Sequence, residues 1–238
     1  FSDKLNHASI VDGCLMSGAE FRRFRHNDME HLEGLLKNAP ADVAKLVIAD
    51  SVFSMDGDII DLPKMVELCK KYNAWLMIDE AHSVGVLGEK GTGIEEYFNM
   101  YGSIDIKMGT LSKTIPSVGG YVAANNDIIT YLRHASRAYI FSAALPPAQA
   151  AAANEAFKVI LDEPWRIQRL NENTKQFIHG LKSMGFDTML TETAIVPVLC
   201  GDDNTAFAMT REAQHNDVFV LPVVSPAVPE GLARLRAT

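Results

Sequence analysis

Three adjoining segments constrain the fold of this chain more than any other feature. Residues 45–52 read K-L-V-I-A-D-S-V and residues 74–78 read A-W-L-M-I, two nearly continuous apolar runs. Such runs suit strands buried on both faces. Between them, residues 62–72 open with Asp61 as N-cap and Pro63 in the first turn, then bring Met65, Val66, Leu68 and Cys69 to one side. That pattern predicts a helix. Strand, helix and strand at this spacing form a βαβ unit, right-handed and parallel.

The remaining pattern extends an α/β architecture. Helices are predicted at 9–17, where Asn6 or His7 serves as the cap, and at 29–37, 127–133, 148–161, 166–184 and 205–215. Further strands are predicted at 20–25, 104–108, 138–142, 193–199, 218–220 and 232–238. A strand at 119–123 is expected to run antiparallel, because its connection is short. Pro164 breaks the helical pattern. The expectation is a major domain at 1–164, a mostly parallel sheet flanked by helices, and a smaller α+β domain at 165–238. Phe1 opens in mid-pattern and the last strand is cut short, so both domains read as truncated.

The formal net charge of −8 argues against a nucleic-acid partner, which calls for a basic footprint. No apolar run approaches the roughly 20 residues of a membrane span. Cys14, Cys69 and Cys200 are far apart and form neither C-x-x-C nor zinc spacing. They read as buried thiols of a protein in a reducing compartment, the cytoplasm.

The chemistry concentrates between residues 78 and 119. Asp79 ends an apolar run, where a carboxylate faces the crevice at a strand terminus, and His82 follows three residues later. Together they can grip a heteroaromatic ring, the acid keeping a pyridinium nitrogen protonated and the histidine bonding a ring hydroxyl. Lys113 lies in the turn G-T-L-S-K after another predicted strand, with Thr110 and Ser112 beside it. A lysine Schiff base with an acidic pyridinium partner is the binding pattern of pyridoxal 5′-phosphate. Ser54, after the 45–52 run, is a further candidate. The glycines at 85, 88, 91 and 93 predict a flexible loop without either phosphate-binding fingerprint. Residues 79–82 also spell the D-E-A-H box of helicase-type ATPases, a reading that needs a P-loop, and none precedes them.

Seven segments carry a resemblance. They are D-K-L-N-H-A-S-I (3–10), F-R-H-N-D (24–28), V-F-S-M-D-G-D (52–58), M-I-D-E-A-H-S-V-G-V-L-G (77–88), G-T-L-S-K (109–113), F-S-A-A-L-P-P-A (141–148) and V-P-E-G-L-A-R-L-R (228–236). In this order they resemble the α-oxoamine synthases, a family of fold-type I pyridoxal-phosphate enzymes. The resemblance implies decarboxylative condensation of an amino acid with an acyl-CoA or acyl-carrier protein to a 2-amino ketone. It implies that Lys113 binds the cofactor aldehyde, that Asp79 pairs with the ring nitrogen and His82 with the ring hydroxyl, and that His7 stacks on the ring. Ser54 would lie by the ring hydroxyl, Thr110 by the phosphate, and Ser142 by the phosphate of the neighbouring subunit's cofactor in a homodimer. Arg236 would bind the amino acid's carboxylate. The stretch 222–229 is similar to bacterial serine palmitoyltransferases and points to serine with a long acyl chain. The alternatives are another fold-type I chemistry, such as a transaminase or aldolase, and a catalytically silent partner subunit. The family's N-terminal Gly-rich phosphate loop has no counterpart in these residues.

Overall fold

A computed structural model describes residues 1–238. The chain forms two compact units, Phe1–Ser51 with Ile60–Ile167, and Val52–Ile59 with Gln168–Thr238. The sequence expectation divides it at 164/165. The units part three residues later, and Val52–Ile59, early in sequence, groups with the second unit.

The first unit runs β1 (Ser2–Asp3), α1 (Ala8–Met16), β2 (Arg23–Phe24), α2 (Met29–Lys37), β3 (Leu46–Asp50), α3 (Leu62–Lys71), β4 (Trp75–Asp79), α4 (Ile94–Tyr97), β5 (Ile106–Thr110), β6 (Gly120–Ala124), α5 (Asn126–Ala135), α6 (Arg137–Ile140) and α7 (Pro147–Asp162). Its six strands lie in the order β2-β1-β3-β4-β5-β6. All neighbours are parallel except β6, which returns antiparallel beside β5.

The β3–α3–β4 unit forms as the apolar runs dictate. Its register runs from Leu46↔Trp75 to Asp50↔Asp79. Asp61 caps α3 by accepting the Lys64 N–H at 3.1 Å. Val47, Ala49, Leu76 and Ile78 on the strands, with Leu62, Met65 and Leu68 on the helix, are almost fully removed from solvent. Burial of this kind stabilises by about 1.5–3 kcal/mol for each large apolar side chain.

Four local expectations change, one being the strand expected at 218–220, which forms instead at Leu221–Val223, where it pairs with residues 234–236. Residues 138–142 are not a strand: Arg137–Ile140 is a helical turn. The β-preferring Tyr139, Ile140 and Phe141 are exposed there, and β propensity acts only where a pleated surface is packed. The loop at 85–93 is tied rather than loose. The Gly85 N–H donates to the Gly91 carbonyl at 2.7 Å, and the Gly93 N–H to the Leu87 carbonyl at 3.1 Å. Of the cysteines, only Cys69 is buried.

The second unit contains β7 (Val196–Gly201), α9 (Asp203–His215), β8 (Leu221–Val223), β9 (Ala233–Ala237) and most of α8 (Trp165–Ser183). Its antiparallel sheet has the order β7-β9-β8. Arg234 is buried on β9 and pairs with Asp56, while also donating to the Met55 carbonyl at 3.2 Å. No helix of the chain is long and apolar enough to cross a membrane.

Candidate active site

Parallel strands align their carboxyl ends, and in open α/β sheets ligands bind beyond that edge. Residues Asp50 and Asp79 close β3 and β4, and Thr110 closes β5. His7 lies four residues beyond β1, and Lys113 three beyond β5. The topology therefore brings His7, Asp79, Thr110 and Lys113, scattered over more than a hundred residues, to one edge.

The turn carrying Lys113 is anchored on both sides. Leu111 and Ile115 are buried with Ala153 of α7, and Tyr121 and Phe157 pack against them. The Leu111 N–H donates to the Gly119 carbonyl at 2.9 Å, and the Ser117 N–H to the Leu111 carbonyl at 2.8 Å. Lys113 itself is exposed. The amine thus hangs from a fixed base. Thr110 Oγ1 and Ser112 Oγ are 2.8 Å apart, two hydroxyls beside the amine that can turn toward an anion.

Asp79 is buried, and burial raises its pKa. The Ala81 N–H, which donates to Oδ1 at 2.8 Å, opposes that rise, as do the nearby charges of Lys113 and His7. A carboxyl so desolvated favours a cationic N–H partner, and its Oδ2 is left to receive one. Asp79 thus offers a desolvated carboxyl suited to a cationic N–H, on the same sheet edge as the Lys113 turn.

His7 caps α1, its Nδ1 accepting the Ser9 N–H at 3.3 Å. The ring is exposed and the cap uses only its edge, so capping and stacking are compatible. His82 sits half-buried in the turn after Asp79. Glu80, by contrast, is buried and turned inward, accepting from the Ser83 hydroxyl and, at 3.1 Å, from the Ile94 N–H. That orientation does not present Asp79 and Glu80 as the paired acids of a helicase-type ATPase. Ser51 Oγ donates to the Asp79 carbonyl at 2.7 Å and contacts Ser83 Oγ at 2.9 Å, which braces the same turn.

Gly85 holds the following loop against the lysine turn. With φ at +78°, it lies where a Cβ would overlap the Thr114 methyl. A mostly apolar cavity of about 670 Å³ runs between α1 and the sheet, lined in part by Ile10, Cys14, Ile48, Met77 and Met108. Asp79 is among its walls and Lys113 is not.

Ser142 is exposed in the segment that links α6 to α7. Ser54 and Arg236 belong to the second unit. Ser54 is half-buried. Arg236 lies on β9 opposite Pro197 and Leu221, and its buried Nε has no partner, while burial lowers the guanidinium's pKa. Such a group favours an incoming anion. Residues 7, 79, 110 and 113 are thus brought together. The reading of the sequence passed over Asp50 and the Ser51–Ser83 brace. Asp50 had a visible signal: L-V-I-A-D and W-L-M-I-D end alike.

Comparison with known proteins shows the family of the chain. The family model for "Aminotransferase class I and II" matches residues 1–238. The chain is 47% identical over 236 residues to an 8-amino-7-oxononanoate synthase of Thermoanaerobacter pseudethanolicus, covering 99% of this chain and 60% of that protein. It is 41% identical over 234 residues to a serine palmitoyltransferase of Sphingobacterium spiritivorum, covering 98% of this chain and 59% of that protein. Among solved structures, one described as SPT with PLP internal aldimine superposes with a TM-score of 0.96 at 39% identity, over 100% of this chain and 60% of that one. The chain spans about 60% of the length of these relatives.

Proposed function

We propose, for a chain that belongs to the aminotransferase class I and II family and whose relatives are α-oxoamine synthases, that its site holds pyridoxal 5′-phosphate and condenses an amino acid with an acyl thioester. The products are a 2-amino ketone, carbon dioxide and a free thiol. The observation that carries the proposal is the convergence of the Lys113 amine and the buried Asp79 carboxyl on one sheet edge, close enough for the lysine's charge to act on the acid.

When bound, the cofactor supplies an electron sink for charge developing at the amino acid's Cα. Lys113 supplies the amine that takes the cofactor aldehyde and, once displaced by the amino acid, the base that removes the Cα proton. Asp79 holds the proton on the ring nitrogen. His82 and Ser54 are assigned to the ring hydroxyl, His7 to the ring face and Thr110 to the phosphate. For Arg236 the assignment is the substrate carboxylate, supported by its partnerless Nε and by the bidentate fit of a guanidinium to a carboxylate.

The proposal extends to a cytoplasmic homodimer in which Ser142 reaches the partner's cofactor phosphate. The exposed apolar side chains around Ser142 support a second copy there, with Tyr139, Phe141 and Leu145 at 65%, 79% and 37% exposure. The choice between serine with a long acyl chain and other pairs follows the similarity of residues 222–229 to serine palmitoyltransferases.

The test adds pyridoxal phosphate to the full-length protein, fixes any visible adduct with borohydride and maps it by mass spectrometry. A label on Lys113 is expected. Glycine, serine and alanine are then offered with short and long acyl-CoAs or acyl-carrier protein, following thiol release. Transamination without thiol would defeat the acyltransferase reading, and no adduct would identify a silent subunit.

A further inference from the structure

Asp50 has no part in the assignments above. It ends β3 beside Asp79 in register, so the two side chains leave the sheet on the same face. The carboxyl is buried, and its Oδ2 accepts the His7 N–H at 3.0 Å. Its own N–H donates to Asn6 Oδ1 at 2.9 Å, and Asn6 Nδ2 donates to Ser2 Oγ at 2.8 Å and to the Ile48 carbonyl at 2.9 Å. This bracket fixes the bend of chain from which the His7 ring projects. Oδ1 of Asp50 is buried without a partner. The charges that act on the carboxyl are those of Asp79 on β4, Asp3 on β1 and Lys113 after β5.

Two buried carboxyls on adjacent strand ends do not readily ionise together. Asp79 has the Ala81 N–H, Lys113 and His7 to favour its charged form. Asp50 has the His7 N–H, the Lys113 charge as the least of the influences on it, and an unmatched oxygen. We propose that Asp50 is a positioning residue that seats His7 over the cofactor and retains the proton of the Asp50–Asp79 pair, leaving the pair's single charge on Asp79. Burial and the Asp79 charge push the Asp50 pKa up to about 7, in keeping with that division. The inference rests on the pyridoxal-phosphate reading.

The test measures pyridoxal-phosphate affinity of the full-length protein by titrating its visible band, with circular dichroism confirming that each variant is folded. Asp50→Asn keeps an acceptor for the His7 N–H and is neutral, so its Kd should stay within about threefold of wild type. Asp50→Ala loses the hydrogen bond, and its Kd should rise about tenfold, the worth of one such bond. In a His7→Ala background the Asp50→Ala change should alter Kd by less than about twofold, because the ring it seats is gone. Below about pH 7 the pH profile of the bound spectrum should coincide for wild type and Asp50→Asn.

A wild-type protein that forms no adduct removes the cofactor reading and this inference together. If wild type binds, the inference alone is overturned by an Asp50→Ala protein that binds as tightly. An Asp50→Asn protein as weak as Asp50→Ala, a full effect persisting without His7, or a displaced pH profile would each do the same.

Discussion

Replacing Asp50 by Asn should change how the cofactor-free protein responds to pH, by an amount the site itself sets. The carboxyl ionises near its ordinary value of 3.8 in the unfolded chain and near 7 in the folded one. Below about pH 4 both states hold the proton and the group contributes no penalty. Between the two values the unfolded chain releases it while the folded protein does not, so unfolding gains with every step in pH. Above about pH 7 both are ionised and the penalty is constant. At 1.36 kcal/mol per pH unit, that interval amounts to about 4 kcal/mol. Asn has no such titration. Asp79 and Glu80, also raised by burial, titrate in both proteins, so the difference reports residue 50 together with its coupling to Asp79. Urea unfolding of apo wild type and Asp50→Asn at pH 4 and pH 8, read from the midpoints at a common slope, should show the variant gaining about 4 kcal/mol relative to wild type at the higher pH. A gap that stays constant within about 1 kcal/mol, or opens the other way, would refute the reasoning.

Leu111→Ala, which empties a buried site beneath the lysine turn, should cost about 2–5 kcal/mol in urea unfolding. A loss under about 1 kcal/mol would show that the turn is not anchored there. Gly85→Ala should destabilise by at least about 1 kcal/mol through positive φ and overlap with the Thr114 methyl. Adding Thr114→Ser, which removes that methyl, should recover part of the loss; no recovery would assign the whole effect to the backbone. Arg236→Lys should raise the KM for the amino acid about tenfold or more while leaving cofactor affinity unchanged, because an ammonium cannot reproduce the bidentate fork. A parallel loss of cofactor affinity would place Arg236 at the phosphate instead.

Much of this architecture is legible in the chain because burial on both faces leaves continuous apolar runs. Residues 45–52 and 74–78 announce themselves, and the Asp61 cap with Pro63 marks the helix between them. Asp79 is legible for the same reason: a charge at the end of such a run can only face the strand terminus. Asp50 escaped because the run around it continues through Ser51 and Val52, which hid the strand's end. Its pairing with Asp79 is a matter of register, fixed by long-range strand contact that no local window contains. The 138–142 segment misled because Tyr139, Ile140 and Phe141 favour strands only where a neighbouring strand receives them. The grouping of Val52–Ile59 with the second unit is likewise a tertiary fact, set by bonds such as Thr193 Oγ1 to the Gly57 carbonyl at 2.9 Å, 136 residues away in sequence.

The anchoring of the lysine turn has an evolutionary consequence. Leu111 and Ile115 are held by α7 and β6 and the Thr114 methyl lies against Gly85, while the side chains at 112 and 113 face outward. Substitutions at the clamped positions are filtered by whether the protein folds at all, and one at exposed position 112 by its effect on whatever the site binds. Descendants of such a chain can therefore vary the surroundings of a fixed amine without renegotiating the scaffold, and a library randomised at 112 would sample that freedom directly.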